Sequence, residues 1–233
     1  MKPRLARKLI ALFLGLLGLA FLVISLAPIV LYEIESRQKY PILISPISDK
    51  SSLAEKFSLK GKDYTKASNW FEGGVEEEKF ASDKITFYTI SIPKLRIEDA
   101  TVSIGGEDLS KSLIQYPGTA LPGEIGNSVI FGHSILPIFF NPKNYLSIFS
   151  TLPKLDKGDK VYVNFDGILY TYQVETMFEV YPNNIEILEQ NPSNSYLTLV
   201  TCVPPGDPRK ARRLIVRAKL VPAVYTYVPA GYY

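Results

Sequence analysis

Between Leu9 and Tyr32 the chain reads LIALFLGLLGLAFLVISLAPIVLY, without one charged residue. A bilayer core needs about 20 apolar residues in helical form, so this run is long enough to cross one. Lys2, Arg4, Arg7 and Lys8 precede it. That basic tail predicts a cytoplasmic N-terminus and an extracellular remainder, a single-pass protein of the cell membrane. A cleaved signal peptide is the rival reading. Its apolar core would be only about 7–15 residues long and would end at a small-x-small site. Here the run is longer, and Pro28-Ile29-Val30-Leu31 stands where cleavage would fall. The sequence favours an uncleaved anchor over 9–32, behind a cytoplasmic tail over 1–8.

Charge excludes one class of partner. The whole chain carries +3, but 26 basic residues less the four before the anchor leaves 22, against 23 acidic ones. The part beyond the anchor is close to neutral and offers no basic stripe for phosphates, so nucleic acid is not an expected partner. With one cysteine, that part cannot form an internal disulfide. A single thiol outside the cell is exposed to oxidation, which suggests use, although a buried inert cysteine is equally compatible.

Residues 33–82 read as a stalk. Scattered prolines and serines, Gly73-Gly74 and Glu76-Glu77-Glu78 occur there without sustained periodicity, with a short helix expected over 53–59. From Ile85 the texture changes. The stretches ITFYTISI, ATVSI, NSVIFGH, KVYVNFD, ILYTYQVETMFEV, YLTLVTC and RLIVRAKLV are β-branched and aromatic. Turn sequences separate them, among them Gly105-Gly106, Asp166-Gly167 and Pro204-Pro205-Gly206. Many short strands with little helix between them predict a mainly β domain over 83–222, a barrel or sandwich, followed by a tail over 223–233. Short helices are expected near 108–114, 145–150 and 185–190.

The only cysteine, Cys202, and the only histidine, His133, each stand where a strand runs out. Rigid scaffolds present reactive groups at such places. A zinc site would want about four ligands, and these two supply half, with no acidic cluster beside either, so no metal is expected. Two unrelated residues, a packed thiol and a surface imidazole, remain an open reading of the pair. Nucleophilic catalysis is the other: a thiolate to attack, an imidazole to protonate the leaving amine, and an arginine shortly after Cys202 to hold an oxyanion. Papain-type enzymes also pair Cys with His, but their cysteine opens a helix, whereas Cys202 closes a strand.

Thr198-Leu199-Val200-Thr201-Cys202 matches the TLxTC signature of the sortases, and the chain resembles that family of cysteine transpeptidases in further stretches. Arg213 opens RLIVRAKL, similar to the family's closing strand with its arginine. The segment from Tyr116 to Ser134 is similar to the one that carries the family histidine, here His133. ISIPKL, YLSIF and KLDKGDKVYV add to the likeness, which runs in order from about Thr86 to Val221. The resemblance implies an eight-stranded sortase-type β-barrel and catalysis by His133, Cys202 and Arg213 with no cofactor. It implies cleavage of an LPxTG-like sorting signal through a thioacyl enzyme, then transfer to an amine of the cell wall such as a peptidoglycan precursor. Hydrolysis without transfer, polymerisation of pilus subunits and an inactive peptide-presenting barrel are the alternatives. The resemblance places substrate contacts at Thr201, Ile185, Ile187 and Pro204, with Leu-Pro specificity near Tyr181–Asn194. The Asp-Pro-aromatic lid motif of pilus sortases is absent, and Asn69-Trp70 is its nearest counterpart.

Strand alternation separates the two neighbouring arginines. Leu214, Val216, Ala218 and Leu220 share one apolar face, suited to a barrel interior. Arg213, Ile215 and Arg217 face outward, so Arg213 is expected at the groove and Arg217 in solvent. Arg212 has the inner parity but is expected just before the strand, as an exposed charge.

Overall fold

The computed structural model describes residues 3–43, 63–71, 86–209 and 212–222. A long helix, α1 (Pro3–Lys39), is followed by strands β1 (Ile42–Leu43), β2 (Thr86–Ile92), β3 (Ile97–Ile104), β4 (Leu113–Gln115) and β5 (Gly126–Phe131). Strands β6 (Lys160–Phe165), β7 (Ile168–Val180), β8 (Ser195–Val203) and β9 (Arg212–Leu220) complete the described chain. The eight strands β2 to β9 pair in the order β7-β6-β2-β3-β4-β5-β8-β9, and β9 returns to β7, closing the barrel. Closure leaves no unpaired edge between these strands, which open sheets must otherwise protect. The two-residue β1 adds in parallel to β7 outside the closed ring.

Alternation along the strands builds two cores. Leu197, Leu199 and Val203 of β8, with Leu214, Val216 and Ala218 of β9, point inward with Ile90, Val102, Ile130 and Val163. Val200 and Cys202 of β8, Val129 and Phe131 of β5 and Ile215 of β9 point outward and are nonetheless buried. An apolar outer face needs a cover. Two segments supply it: the 3-10 turn Ala67–Trp70 and the 3-10 turn Ile185–Leu188.

The helix runs seven residues beyond the expected span and docks on the barrel. Tyr32, Ser36 and Tyr40 are four apart, so they share one helix face. The Tyr32 hydroxyl donates to Glu179 Oε1 at 2.7 Å, and that of Tyr40 to the Pro153 carbonyl at 2.6 Å. Lys39 Nζ donates to the carbonyls of Pro153 and Leu155 and pairs with Asp156 at 2.9 Å. Arg212 joins helix to barrel, paired with Glu33 of the helix and, at 2.9 Å, with Glu179 of β7. Burial pushes the Glu179 carboxyl above its ordinary range.

Several sequence expectations change here. Parts of the segment read as a stalk, 33–39 and 63–71, are structured: the first continues α1 and the second lies on the barrel. Local composition showed polar residues there but not the distant partners. Arg212 opens β9 instead of preceding it and is 7% exposed, because two carboxylates draw it inward. Arg217 is half-buried, held by Thr198 and the Ile187 carbonyl. Near 108–114 the chain makes a turn and then β4, and 145–150 is a run of turns, while the helix near 185–190 is the 3-10 turn named above. The helix expected over 53–59 and the tail over 223–233 lie outside the described residues.

Candidate active site

Cys202 on β8, Arg213 on β9 and His133, two residues past the end of β5, form one row. In the antiparallel β8–β9 ladder, Cys202 is the register partner of Arg213. In the parallel β5–β8 ladder, Phe131 is the partner of Val200, and Gly132 N donates to the Val200 carbonyl at 3.1 Å. Two residues on, His133 comes level with Cys202 on the same outward face. Neighbouring strands lie about 4.8 Å apart, so the three residues span roughly 10 Å.

The local structure fixes each member. Ser134 Oγ donates to the Cys202 carbonyl at 2.6 Å, and Phe149 N donates to the His133 carbonyl at 2.9 Å. Thr201 lies on the inner face, fully buried, and its hydroxyl donates to the Gly132 carbonyl at 2.8 Å. Its side chain therefore ties the cysteine strand to the histidine strand and does not reach the groove where a substrate contact was expected. Gly132 is required by packing: a Cβ there would come within 2.4 Å of the Phe149 ring and 2.6 Å of Leu113.

Cys202 and His133 are 1% and 4% exposed, and Arg213 is fully buried. The cover is the segment 63–71. Trp70 stacks on Phe131 with ring centroids 5.2 Å apart and an angle of 11°, and its ring lies 5.8 Å from that of His133. The Arg213 guanidinium sits 5.5 Å from the Trp70 ring centre and 5.6 Å from that of Tyr64. Arg213 Nε and Nη2 both donate to the Trp70 carbonyl, at 3.2 and 2.9 Å, and Nη1 donates to the Arg212 carbonyl at 3.1 Å. The guanidinium is thus arranged to hold a peptide carbonyl. At the start of this segment, the Thr65 hydroxyl and amide hold the Asp63 carboxyl below its ordinary range, with His133 acting in the same direction.

The second cover is stapled by residues that sequence reading missed. Asn127 Nδ2 donates to the Ile187 carbonyl at 2.9 Å, and its Oδ1 accepts from Thr198 at 2.7 Å. Gln190 Oε1 accepts from the amides of Ala120 and Asn127, and its Nε2 donates to the Leu188 and Asn127 carbonyls. A buried amide at the head of an apolar strand was the available signal for Asn127. Of the expected substrate contacts, Ile187 packs in the outer cluster, Ile185 is 41% exposed, and Pro204 is buried beyond Cys202.

The sequence matches the Sortase domain family over residues 90–221, more than half of the chain and the whole of the row. The chain belongs to the sortase family. It is 30% identical over 132 residues to a sortase A of Streptococcus agalactiae, covering 56% of this chain and 51% of that protein. A sortase A of Bacillus anthracis is 30% identical over 135 residues, covering 57% of this chain and 58% of that one. The chain thus spans about half the length of the curated sortases it matches. Among solved structures, a Clostridium perfringens sortase D5 transpeptidase superposes with a TM-score of 0.51 at 26% identity, covering 62% of this chain and 92% of that one. A lid mutant of sortase A from Corynebacterium diphtheriae gives 0.51 at 28% identity, over 60% and 72%. Sortase C-1 of Actinomyces oris gives 0.50 at 29%, over 58% and 73%.

Proposed function

We propose that this sortase is a membrane-anchored cysteine transpeptidase that cleaves an LPxTG-like sorting signal and joins the released protein to an amine of the cell wall, such as a peptidoglycan precursor. The supporting observation is the single row of His133, Cys202 and Arg213 across the end of β5, β8 and β9. The Cys202 thiolate attacks the threonine carbonyl of the signal. The C–N bond to glycine breaks, and His133 passes its proton to the leaving amine. Arg213 holds the developing oxyanion, as it now holds the Trp70 carbonyl. The incoming amine then attacks the thioester, gives a proton back to His133, and the C–S bond breaks to restore the thiolate.

Anchoring rests on α1, whose stretch Arg7–Lys39 is long and apolar enough to cross a membrane. With the basic residues before it, the N-terminus lies in the cytoplasm and the barrel outside. The leucine and proline of the signal occupy the outer apolar face beside Ile187, with Ile185 and Pro204 at its borders. Substrate entry requires Trp70 to leave that face.

A second reading is a pilus-polymerising enzyme, since a pilus-related sortase C of Group B Streptococcus is similar at 31% identity and a TM-score of 0.50. The C. diphtheriae sortase A named for its lid is equally similar, so a covered groove does not choose between the two. The test is to incubate the detergent-solubilised chain with an LPxTG peptide and a small amine. Ligated product supports transfer, hydrolysed peptide alone points to a thiol endopeptidase, and no turnover by wild type overturns the reading.

A further inference from the structure

Past the 3-10 turn Ile185–Leu188, the outer face leads into a cavity of about 190 Å³ lined by Asn127, Glu175, Glu189, Asn191, Tyr196 and Arg217. Ladder register gives its place relative to the row. Tyr196 is six residues before Cys202 on β8, and Arg217 four residues after Arg213 on β9. At about 3.3 Å per strand residue, these positions lie roughly 20 and 13 Å from the row. An extended peptide advances by about the same amount per residue. A chain whose carbonyl lies at Cys202 therefore needs at least five or six residues to reach this cavity.

The acyl half of the substrate is the half that can do so. It remains bonded to Cys202 while the first amine departs and the second arrives, and on the reading above its leucine and proline lie beside Ile187, whose carbonyl accepts from Arg217 of this cavity.

The chemistry of the cavity is selective. Glu175 is the extra residue of a β-bulge: Val174 pairs with Ala218 and Thr176 with Arg217, leaving Glu175 between them. Bulges re-aim side chains, and this one sets a carboxylate in the cavity wall. Glu189 supplies another from the opposite segment. The guanidinium of Arg217 is directed into the floor, with Nη2 to the Ile187 carbonyl at 3.3 Å, Nε to Thr198 at 3.4 Å, and the Phe178 ring centre 5.8 Å away. Both carboxylates act on this guanidinium, but two against one leave the wall net acidic, with the Asn191 and Tyr196 side chains beside them.

We propose that this cavity is a subsite for a cationic side chain, lysine or arginine, five or six residues before the cleaved bond and upstream of the sorting motif itself. The proposal rests on the transpeptidase reading for the identity of the peptide, and the test separates the two. Binding is measured on the full-length Cys202→Ala protein in detergent, using LPxTG peptides with lysine or glutamate at both the fifth and sixth positions before the cleaved bond. Lysine peptides should bind about three- to tenfold more tightly, the scale of partly exposed ion pairs counted for attraction and repulsion together. The ratio should shrink at high salt. In the Glu175→Gln, Glu189→Gln double variant it should fall towards one. A ratio within twofold, a ratio unchanged in the double variant, or no binding of either peptide overturns the subsite. If the ratio holds while wild type transfers nothing, the subsite stands and the chemistry proposed above falls.

Discussion

The carbonyl oxygen of Trp70 accepts hydrogen bonds from both Nε and Nη2 of Arg213, across 143 residues of sequence. On the proposed mechanism, the backbone of the covering segment thus sits where a substrate carbonyl is to be held. Opening the groove must break those bonds along with the Trp70–Phe131 stack.

Trp70→Ala should loosen the cover. An aromatic pair contributes about 0.5–1.5 kcal/mol beyond area burial, enough to speed opening by roughly two- to tenfold. Because Cys202 is the only thiol, labelling with a thiol reagent reads the opening directly. A labelling rate equal to wild type would show that the segment is held by other contacts.

Cys202→Ala should abolish cleavage and ligation, since no second thiol can replace it. His133→Ala should lower kcat/KM by roughly 10²–10⁴-fold through loss of the leaving-group acid. Peptide turnover by each purified variant is the measurement. A His133 variant with near-normal rates would remove the imidazole from the mechanism.

The two arginines should part company. Arg213→Lys replaces a planar fork with a point charge and should lower kcat/KM by about 10²-fold, with a lower Tm as well because its bonds to the buried Trp70 carbonyl are lost. Arg212→Ala should act on stability instead, by about 1–3 kcal/mol, less than a fully buried pair because Glu33 is partly exposed. Thermal melts set beside kinetics check both, and the reverse pattern would contradict the register of β9.

Gly132→Ala should cost about 1–3 kcal/mol, because the added methyl meets the Phe149 ring and Leu113, both buried. Activity should fall as well, since the shift displaces the residue that precedes His133. Urea melts and turnover of the same preparation test this, and unchanged stability would mean that Phe149 moves aside freely.

Acid should weaken the hold of the barrel on the helix end. Hydrogen bonds from Lys94 and Lys39 lower the Asp156 carboxyl from 3.8 to about 2. A depressed native value contributes stability above the unfolded value, and that contribution disappears as pH falls through the native one. Asp156→Asn should therefore reduce stability at neutral pH and flatten its decline between pH 4 and 2, read by urea midpoints across that range. An equally steep decline in the variant would exclude Asp156 as a cause.

The row was legible because its members announce themselves locally. Cys202 and His133 are each unique and end apolar runs, and alternation along RLIVRAKL turned Arg213 outward. In the structure Val129, Phe131, Val200 and Ile215 share that outer face, and local sequence could not name their cover, since Trp70 reaches them from more than 50 residues away. Arg212 was misread for a related reason. Nothing beside it in sequence reveals that Glu33 and Glu179 wait for it. The spacing of four at Tyr32, Ser36 and Tyr40 was an available sign that the helix continues past the apolar run.

Because the end of α1 is bonded to the barrel through Tyr32, Lys39 and Tyr40, the helix and the row of His133, Cys202 and Arg213 are tied into one piece. On the anchored reading, its height above the bilayer and its compass heading are both set by the helix that holds it. Such an enzyme cannot sweep a volume in search of substrate. On the same reading, the protein to be joined and the amine that receives it have to come to the enzyme, and the encounter depends on their movement and not on its own.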